Sequence, residues 1–289
     1  YEKNSFVFNL IRQGAIKLLN PRICGSVMRI IVCVKQVIDT AARIEIKDGK
    51  VDGTGLAKVL NPYDEFAVEE ALRIRERKPG TEVILVSLGP DGFQDALRAG
   101  LAMGADRAAH LLDPIFEGVD SLTGARLLSR AAMSLGFDLI FCGRQAVDDD
   151  MAQIGPALAV YLQIPCVTVV TKLEFSDDWS MAVATRQIEG GSEIIEAPLP
   201  ALFSCQKGLN QPRLPSLKGI MAAKKKQIEI IDATKIGFVP TEINNRTSTV
   251  IQTGLELPNV RDKGEIIDGP VDETITKLVK TLREKEKVV

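Results

Sequence analysis

Short apolar runs and amphipathic segments alternate along the first half of the chain. Continuous apolar runs, which are typical of strands buried on both faces, occupy residues 29–34, 81–88, 107–112 and 139–142. Segments with apolar residues at helical spacing follow them, at residues 62–77, 91–103, 121–134 and 151–161. This alternation predicts an α/β fold with a doubly wound, mostly parallel, Rossmann-like sheet.

The pattern changes after residue 164. Three strand-like stretches, joined by the turn-forming pairs Asp177-Asp178 and Gly190-Gly191, predict an antiparallel extension of the sheet at residues 165–174, 179–186 and 193–196. A further core strand is expected at residues 201–205. A small hairpin is expected around Asp48-Gly49, between residues 43–46 and 50–51.

The C-terminal third differs from the rest of the chain in composition and periodicity. Residues 209–226 contain two prolines, exposed leucines and the basic run 224–226, which favours a solvated loop leading into a helix. Residues 232–262 lack periodicity and predict an extended arm. Residues 271–285 place Ile275, Leu278, Val279 and Leu282 on one helical face, so the chain is expected to continue into a helix docked on this chain or on a partner.

The first 27 residues stand apart from this pattern. They carry two lysines, two arginines and one acidic residue among scattered apolar residues, which weakly resembles an amphipathic transit segment. A peripheral extension, or a start upstream of the natural one, explains the same composition. We therefore expect a domain at residues 28–231 and an arm at 232–289, with residues 1–27 of uncertain status.

Composition narrows the range of functions. The net charge of the 289-residue chain is −2 and it has one histidine, so nucleic-acid binding and a histidine-based metal site or triad are not expected. The histidine, His110, follows an apolar stretch and is expected to be structural. The five cysteines are scattered without a C-x-x-C pair and are typical of small core residues in a reducing compartment. No apolar run reaches the length of a membrane span.

The most informative stretch is residues 137–158, where a strand passes through an acidic turn into a helix. Asp148, Asp149 and Asp150 occupy positions suited to helix capping, where carboxylates complement the helix dipole. One cap needs only one carboxylate, so some of the three are equally suited to binding ribose hydroxyls. The backbone N–H groups around Gln153 to Gly155 would then bind the phosphate. Asn61 likewise is either a simple helix cap or a ligand contact.

Several catalytic motifs are missing from the sequence. There is no G-x-x-x-x-G-K-[ST], no G-x-G-x-x-G after a strand and no nucleophile elbow. P-loop and dehydrogenase functions therefore lose their motif support. A nucleotide-binding protein without a catalytic triad fits better.

Five blocks in order carry a resemblance to a known family. They are IIVCVKQVIDT (30–40), LNPYDEFAVEEAL (60–72), LAMGADRA (101–108), GRQAVDDDMAQIGP (143–156) and LNQPRLPSLKGIMAAKKK (209–226). In these blocks, and over essentially the whole chain from Met28, the sequence resembles the β subunit of an electron transfer flavoprotein. The first 27 residues have no counterpart.

The resemblance implies a heterodimer with an α subunit that holds most of an FAD site. It also implies electron transfer from flavoprotein dehydrogenases, such as acyl-CoA dehydrogenases, to a membrane quinone reductase, without stable membrane insertion of this chain. In plain members the β subunit holds AMP. Carried over by position, no residue is catalytic, no metal is bound, and the cofactor-binding residues are Cys33, Asn61, Pro62, Tyr63, Asp64, Leu88, Val147, Asp148, Asp149, Asp150, Met151, Ala152, Gln153, Ile154, Gly155, Pro156, Ala157 and Leu158.

The family also has electron-bifurcating members, in which a second FAD replaces AMP and NADH supplies a hydride. Those members usually have Asp-Gly-Asp where this chain has Asp148-Asp149-Asp150. Asp149 adds a side chain and a charge where they have glycine, near a pyrophosphate, which favours AMP. The stretches 61–64, 152–156 and 264–266 look closer to bifurcating members. Asp149 is given more weight than these stretches, because it would lie near the pyrophosphate. The plain AMP form is therefore the prediction, and the NADH-oxidising form stays the enzymatic alternative.

Leu217 lies where the family's recognition loop presents a leucine to the dehydrogenase. An apolar side chain on a polar loop can fill a partner's pocket, so Leu217 is the predicted partner-binding residue. A stand-alone adenine-nucleotide-binding module is the third alternative, and it would not need Leu217. The expected location is the cytoplasm, or the mitochondrial matrix if the leading residues are a transit segment.

Overall fold

The computed structural model describes residues 27–238, 250, 252–259 and 264–288. By their contacts, residues 27–44 and the described part of 53–253 form one compact unit, and residues 45–52 with the described part of 254–288 form another. The predicted extension at residues 1–27, apart from Val27, and parts of the predicted arm lie outside the described residues.

The first unit is built on one large sheet. Its strands are β1 (Arg29–Cys33), β6 (Glu82–Leu88), β7 (Arg107–Leu111), β8 (Leu139–Gly143), β9 (Cys166–Phe175), β10 (Met181–Ile188), β11 (Gly191–Pro198), β12 (Ala201–Cys205) and β13 (Ile228–Ile231). A separate pair, β2 (Gln36–Ile38) and β5 (Lys58–Leu60), is antiparallel. The remaining two strands, β3 and β4, belong to the second unit.

The nine strands are ordered β11-β10-β9-β12-β8-β1-β6-β7-β13. Every neighbouring pair from β9 to β13 is parallel, whereas β10 runs antiparallel to both β9 and β11. The predicted mostly parallel α/β sheet with an antiparallel extension is therefore confirmed.

Helices cover both faces of this sheet. They are α1 (Pro62–Arg77), α2 (Gln94–Met103), α3 (Ser121–Leu135), α4 (Ile154–Leu162) and α5 (Leu217–Lys225). Alternate residues of β1 face opposite layers: Ile30 and Val32 pack with α1, α2 and α5, whereas Ile31 and Cys33 pack with α3 and α4. Because β1 and β8 are covered on both sides, their sequences are continuously apolar after Arg29.

Several predicted boundaries change. The helix expected at residues 91–103 opens with a 3-10 turn, Asp91–Phe93, and the helix expected from residue 151 begins only at Ile154. A helix from residue 151 would place Pro156 in its interior, where proline lacks the N–H and its ring blocks the carbonyl four residues earlier. The strands β2, β5 and β13 were not predicted, because they are only three or four residues long.

The second unit contains a hairpin and a helix. The hairpin strands are β3 (Ile46–Lys47) and β4 (Lys50–Val51), so the first strand is shorter than the predicted stretch at 43–46. Helix α6 (Val271–Lys280) continues as a π-helical turn, Thr281–Lys285, over the predicted range. Its apolar side chains are exposed on this chain. None of the helices in the described ranges combines the length and apolar character that a bilayer crossing requires.

Candidate functional site

The sheet has a topological switch point beside β1. From β1 the strand order proceeds to β6 and β7 on one side, and to β8 and β12 on the other. The chain therefore leaves the carboxyl ends of β1 and β8 in opposite directions, which opens a crevice between them. Open α/β sheets bind their ligands in such crevices.

A cavity of about 660 Å³ occupies this crevice. Its volume lies within the range of small-molecule and cofactor pockets, which is roughly 300–1,000 Å³. Segments from five places line it: the end of β1, the start of α1, the loop after β6, residues 112–121 between β7 and α3, and the loop from β8 to α4. It belongs entirely to the first unit.

The buried carboxylate of Asp64 ties the strand ends to the start of α1. Its Oδ2 accepts a hydrogen bond from the N–H of Lys35 at 2.8 Å, and its Oδ1 accepts from the N–H of Gly143 at 3.1 Å and from Nδ2 of Asn61 at 2.9 Å. Burial raises the pKa of Asp64 to about 7, although these hydrogen bonds oppose the rise. The carboxylate thus links β1 and β8 where the crevice opens.

Asn61 precedes α1, but its side chain does not cap the helix. Its Nδ2 also donates to the carbonyl of Gln145 at 2.9 Å, and its Oδ1 accepts from the N–H of Val147 at 3.2 Å. The simple capping role is therefore wrong, since the fold brings the loop after β8 within reach of the amide. Asn61 fixes the acidic loop against the start of α1.

Lys35 holds two of the three acidic side chains. Its Nζ lies 2.7 Å from Oδ1 of Asp148 and 3.0 Å from Oδ2 of Asp149. Burial lowers the pKa of Lys35, but the hydrogen bonds and charges of both carboxylates outweigh it and raise the pKa overall. The repulsion between the adjacent carboxylates of Asp148 and Asp149 is therefore compensated by this ammonium group.

The predicted capping role of Asp148, Asp149 and Asp150 is wrong, because α4 begins at Ile154. Oδ1 of Asp149 accepts a hydrogen bond from the N–H of Met151 at 3.0 Å, and the side chain of Asp150 accepts from Gln145. Asp150 and Ala152 have φ values of 50° and 54°, in the left-handed region that non-glycine residues seldom adopt. The acidic loop is thus a shaped turn rather than the first turn of a helix.

Two helix starts border the cavity. Gln153, Ile154 and Gly155 line it at the start of α4, and Asp120 and Ser121 line it at the start of α3. The first N–H groups of a helix have no partner within the helix and carry partial positive charge, so the start of α4 favours an anion such as phosphate. The start of α3 is different, because the carboxylate of Asp120 caps it by accepting a hydrogen bond from the N–H of Thr123 at 2.8 Å. Gly155 has no room for a Cβ, which would lie 2.9 Å from Sγ of Cys142.

The deeper wall is apolar. Cys33, Val86, Leu88, Phe116 and Leu128 contribute to it. Burial, reinforced by the negative charge of Asp64, raises the pKa of the Cys33 thiol to about 12, so this thiol stays neutral. An apolar wall together with the positive start of α4 has the chemistry to hold a flat ring system at one end and a phosphate at the other. An adenylate has this combination of groups.

The predicted cofactor-binding residues divide into two sets. Those that line the cavity are Cys33, Asn61, Asp64, Leu88, Asp149, Met151, Ala152, Gln153, Ile154 and Gly155. Those that are not among its lining residues are Pro62, Tyr63, Val147, Asp148, Asp150, Pro156, Ala157 and Leu158. Leu158, for instance, is fully buried in the core against α3.

Sequence reasoning missed several lining residues. In chain order, they are Val34, Lys35, Val86, Gly89, Pro90, Phe93, residues 112–114 and 116–121, Gly124, Leu128 and residues 142–146. The position of β7 gave one usable signal, since residues 112–121 follow the carboxyl end of a predicted strand, where ligands of parallel sheets bind. Lys35 gave none, because its partners are more than 110 residues away.

Leu217 lies on a separate surface, at the first position of α5. Its side chain is 75 % exposed, and that of Leu214, in the preceding loop, is 92 % exposed. Lys224 and Lys225 are also exposed. Lys226 is not a free part of the basic run, since its Nζ donates a hydrogen bond to the carbonyl of Ala105 at 2.6 Å.

The fold and the cavity together define a doubly wound α/β protein with a cofactor-sized crevice at its switch point. A family model described as "Electron transfer flavoprotein domain" matches residues 48–236. The chain belongs to the electron transfer flavoprotein family, and within it to the β subunits.

Similar proteins cover most of the chain. It is 41% identical over 260 residues to an electron transfer flavoprotein subunit beta of Thermoanaerobacterium thermosaccharolyticum, covering 89% of this chain and 99% of the relative. It is 41% identical to the caffeyl-CoA reductase-Etf complex subunit CarD of Acetobacterium woodii, with coverage of 89% and 99%. It is 38% identical to the electron transfer flavoprotein subunit beta of Sus scrofa, with coverage of 89% and 97%.

Proposed function

We propose that this chain is the nucleotide-holding subunit of a heterodimeric electron carrier. Its partner is an electron transfer flavoprotein α subunit, which holds most of an FAD. The heterodimer accepts electrons from flavoprotein dehydrogenases such as acyl-CoA dehydrogenases and passes them to a membrane quinone reductase. The chain works in the cytoplasm, or in the mitochondrial matrix if its leading residues are a transit segment.

The observation that carries this proposal is the cavity at the switch point. It gathers residues from the ends of β1, β6 and β8 with the starts of α3 and α4, and many of them are residues that the family resemblance assigns to the cofactor. In this proposal the bound nucleotide is AMP. Its phosphate binds the free N–H groups near Gln153 to Gly155, and its base lies against the apolar wall.

The role of the nucleotide is structural. When FAD is bound in the heterodimer, the flavin supplies the redox chemistry, and this chain supplies none. Asp64 and Asn61 hold the strand ends and the acidic loop in place, and the nucleotide fills the crevice between them. The exposed C-terminal helix α6 of the second unit supplies an apolar face, with Val271 and Ile275, for the α subunit.

Leu217 is the docking residue for the donor dehydrogenase. A small exposed apolar anchor gives a weak, short-lived complex, which suits an electron carrier that must leave after each transfer. Lys218, Lys224 and Lys225 flank this anchor with positive charge. We therefore expect the docking site on the dehydrogenase to be an apolar pocket with an acidic border.

An electron-bifurcating form is the second candidate. It is favoured by the stretches 61–64, 152–156 and 264–266, and it would place a second FAD in the same cavity. Asp149 argues against the bifurcating form, because its side chain would take up space beside the pyrophosphate of a second FAD. The negative charge of Asp149 is a weaker argument than the sequence suggests, since the ammonium group of Lys35 compensates that charge.

The test is to count nucleotides in the purified complex. The chain is co-expressed with an electron transfer flavoprotein α subunit, purified, and extracted with acid. One FAD and one AMP per heterodimer support the proposal. Two FAD without AMP, together with reduction by NADH, support the bifurcating form. A nucleotide retained by this chain alone, with no yellow heterodimer, indicates a stand-alone binding module.

A further inference from the structure

The loop before α5 is tied down at both ends, although residues 211–216 form neither helix nor strand. At its far end, α5 packs directly on α2: a Cβ on Gly219 would overlap the carbonyl of Ala102, and Arg98 donates hydrogen bonds to the carbonyls of Ala223 and Lys226. At its near end, the loop is held on α1. Leu214 and Leu217 lie between these two attachments and are exposed.

The near attachment centres on Arg213 and the buried Glu69 of α1. The side chain of Arg213 binds both carboxylate oxygens: Nε lies 2.7 Å from Oε2 and Nη2 lies 3.0 Å from Oε1. The backbone N–H of Arg213 also donates to Oε2 at 3.1 Å. Nη1 reaches the neighbouring Glu76, at 2.6 Å from its Oε1. A bidentate pair of this kind fixes direction as well as distance.

Asn210 adds a second contact to the same helix. Its Nδ2 donates to the carbonyl of Phe66 at 3.0 Å and to Oε2 of the buried Glu70 at 3.1 Å. The start of the loop is therefore hydrogen-bonded to three successive turns of α1. A loop with this many contacts to a rigid helix keeps one shape, whereas a free loop of this length would sample many.

We propose that Arg213 is a positioning residue that presets the docking loop before a dehydrogenase arrives. This rests on the docking role of Leu217 proposed above. Binding through an exposed loop costs the entropy of ordering that loop, and a loop that is already ordered avoids this cost. Arg213 itself is partly buried against α1 and need not touch the dehydrogenase. Its contribution is the fixed position of Leu214 and Leu217.

The first measurement is hydrogen exchange of the heterodimer with its α subunit, which does not depend on any dehydrogenase. In Arg213→Met, the amide of residue 213, which donates to Glu69 in the parent, should exchange about tenfold faster, since this loop loses its bidentate attachment to α1. The amides of Gln211, Leu214 and Ser216 should follow it, whereas Pro212 and Pro215 have no amide hydrogen. Because Arg213→Met leaves Glu69 buried without its cation, the double variant Arg213→Met with Glu69→Met removes both charges together and should behave alike. Unchanged exchange in the double variant overturns the proposal.

The second measurement is electron transfer from an acyl-CoA dehydrogenase at varied heterodimer concentration. Arg213→Met should raise KM for the heterodimer about fivefold and leave kcat within about twofold, because the loss falls on docking. Arg213→Lys keeps the charge but loses the bidentate geometry, so it should recover only part of the affinity. Faster exchange with an unchanged KM overturns the positioning role.

Arg107→Met is the matched control, since the Arg107 guanidinium likewise bridges two carboxylates, those of Glu82 and Glu229. It should change neither loop exchange nor KM. Leu217→Ala, measured beside these variants, separates the two proposals. If it leaves KM unchanged, the docking function fails, and with it the purpose assigned to Arg213, whatever the exchange of the loop shows.

Discussion

Asp64 and Gly143 meet where α1 begins and β8 ends. The N–H of Gly143 donates to Oδ1 of Asp64 at 3.1 Å, and the glycine leaves no room for a side chain. A Cβ at this position would overlap Oδ1 of Asp64 and lie 2.7 Å from Cβ of Tyr63. Both residues line the cavity, so this close approach of strand and helix should be sensitive to substitution.

Gly143→Ala should therefore destabilise the protein and release its nucleotide. The added methyl must push α1 away from β8, and overpacking of this kind costs about 1–3 kcal/mol. The measurements are the midpoint of urea unfolding and the nucleotide content of the purified heterodimer. Gly191→Ala is the control, since a Cβ at Gly191 would meet nothing within 4 Å. A stable, nucleotide-replete Gly143→Ala protein would contradict the close packing.

Asp64→Asn should weaken the same junction. Three donors converge on the carboxylate, from Lys35, Gly143 and Asn61, and an amide would turn its own NH₂ toward at least one of them. A donor facing a donor in a buried place costs roughly 1–3 kcal/mol. Urea unfolding, followed by the fluorescence of Trp179, measures this loss. An Asn variant as stable as the parent at neutral pH would remove the argument.

The pH dependence of stability gives a separate check on Asp64. Its pKa is raised from the ordinary value near 4 to about 7, so in that window the folded state binds more protons at this group than the unfolded state does. The contribution of Asp64 to the free energy of unfolding therefore falls as the pH rises through the window, by at most about 1.4 kcal/mol per pH unit. Asp64→Asn should flatten this slope, and an identical slope in both proteins would contradict the raised pKa.

Asp149→Ala should reduce nucleotide retention and heterodimer stability more than electron transfer by the assembled protein. Asp149 both pairs with Lys35 and accepts the N–H of Met151, so its loss loosens the acidic loop beside the cavity. We expect retention to fall about tenfold, equivalent to 1.4 kcal/mol. The nucleotide content after gel filtration measures it. Glu174→Ala, which removes an exposed partner of Lys172, is the control.

Leu217→Ala should lower electron transfer from the dehydrogenase and leave flavin content intact. The exposed side chain contributes nothing to the core of this chain, so its loss should appear only in docking, at about 1–2 kcal/mol. Kinetics at low heterodimer concentration measure it. Ile194→Ala on β11 is the control, since Ile194 is 74 % exposed, like Leu217 at 75 %. Equal kinetics for the two variants would remove the docking role.

Much of the fold was predictable because buried strands and helices carry a continuous or periodic apolar pattern in their own sequences. The four apolar runs of the first half became β1, β6, β7 and β8, and the change of pattern after residue 164 became the antiparallel extension. The start of α4 was misplaced, although Pro156 is visible in the sequence. The helical spacing of the apolar residues extends before Ile154, but Pro156 is tolerated only in the first turn of a helix.

The sequence by itself determined most of the longer strands and helices, the α/β class and the family, because each depends on periodicity or on contiguous motifs. Only the tertiary structure decided which charges meet. Lys35 holds Asp148 from 113 residues away, and Arg213 holds Glu69 from 144 residues away. Such pairs depend on which strand ends lie side by side, and the order of strands in a sheet is set by the packing of the whole chain rather than by any local pattern.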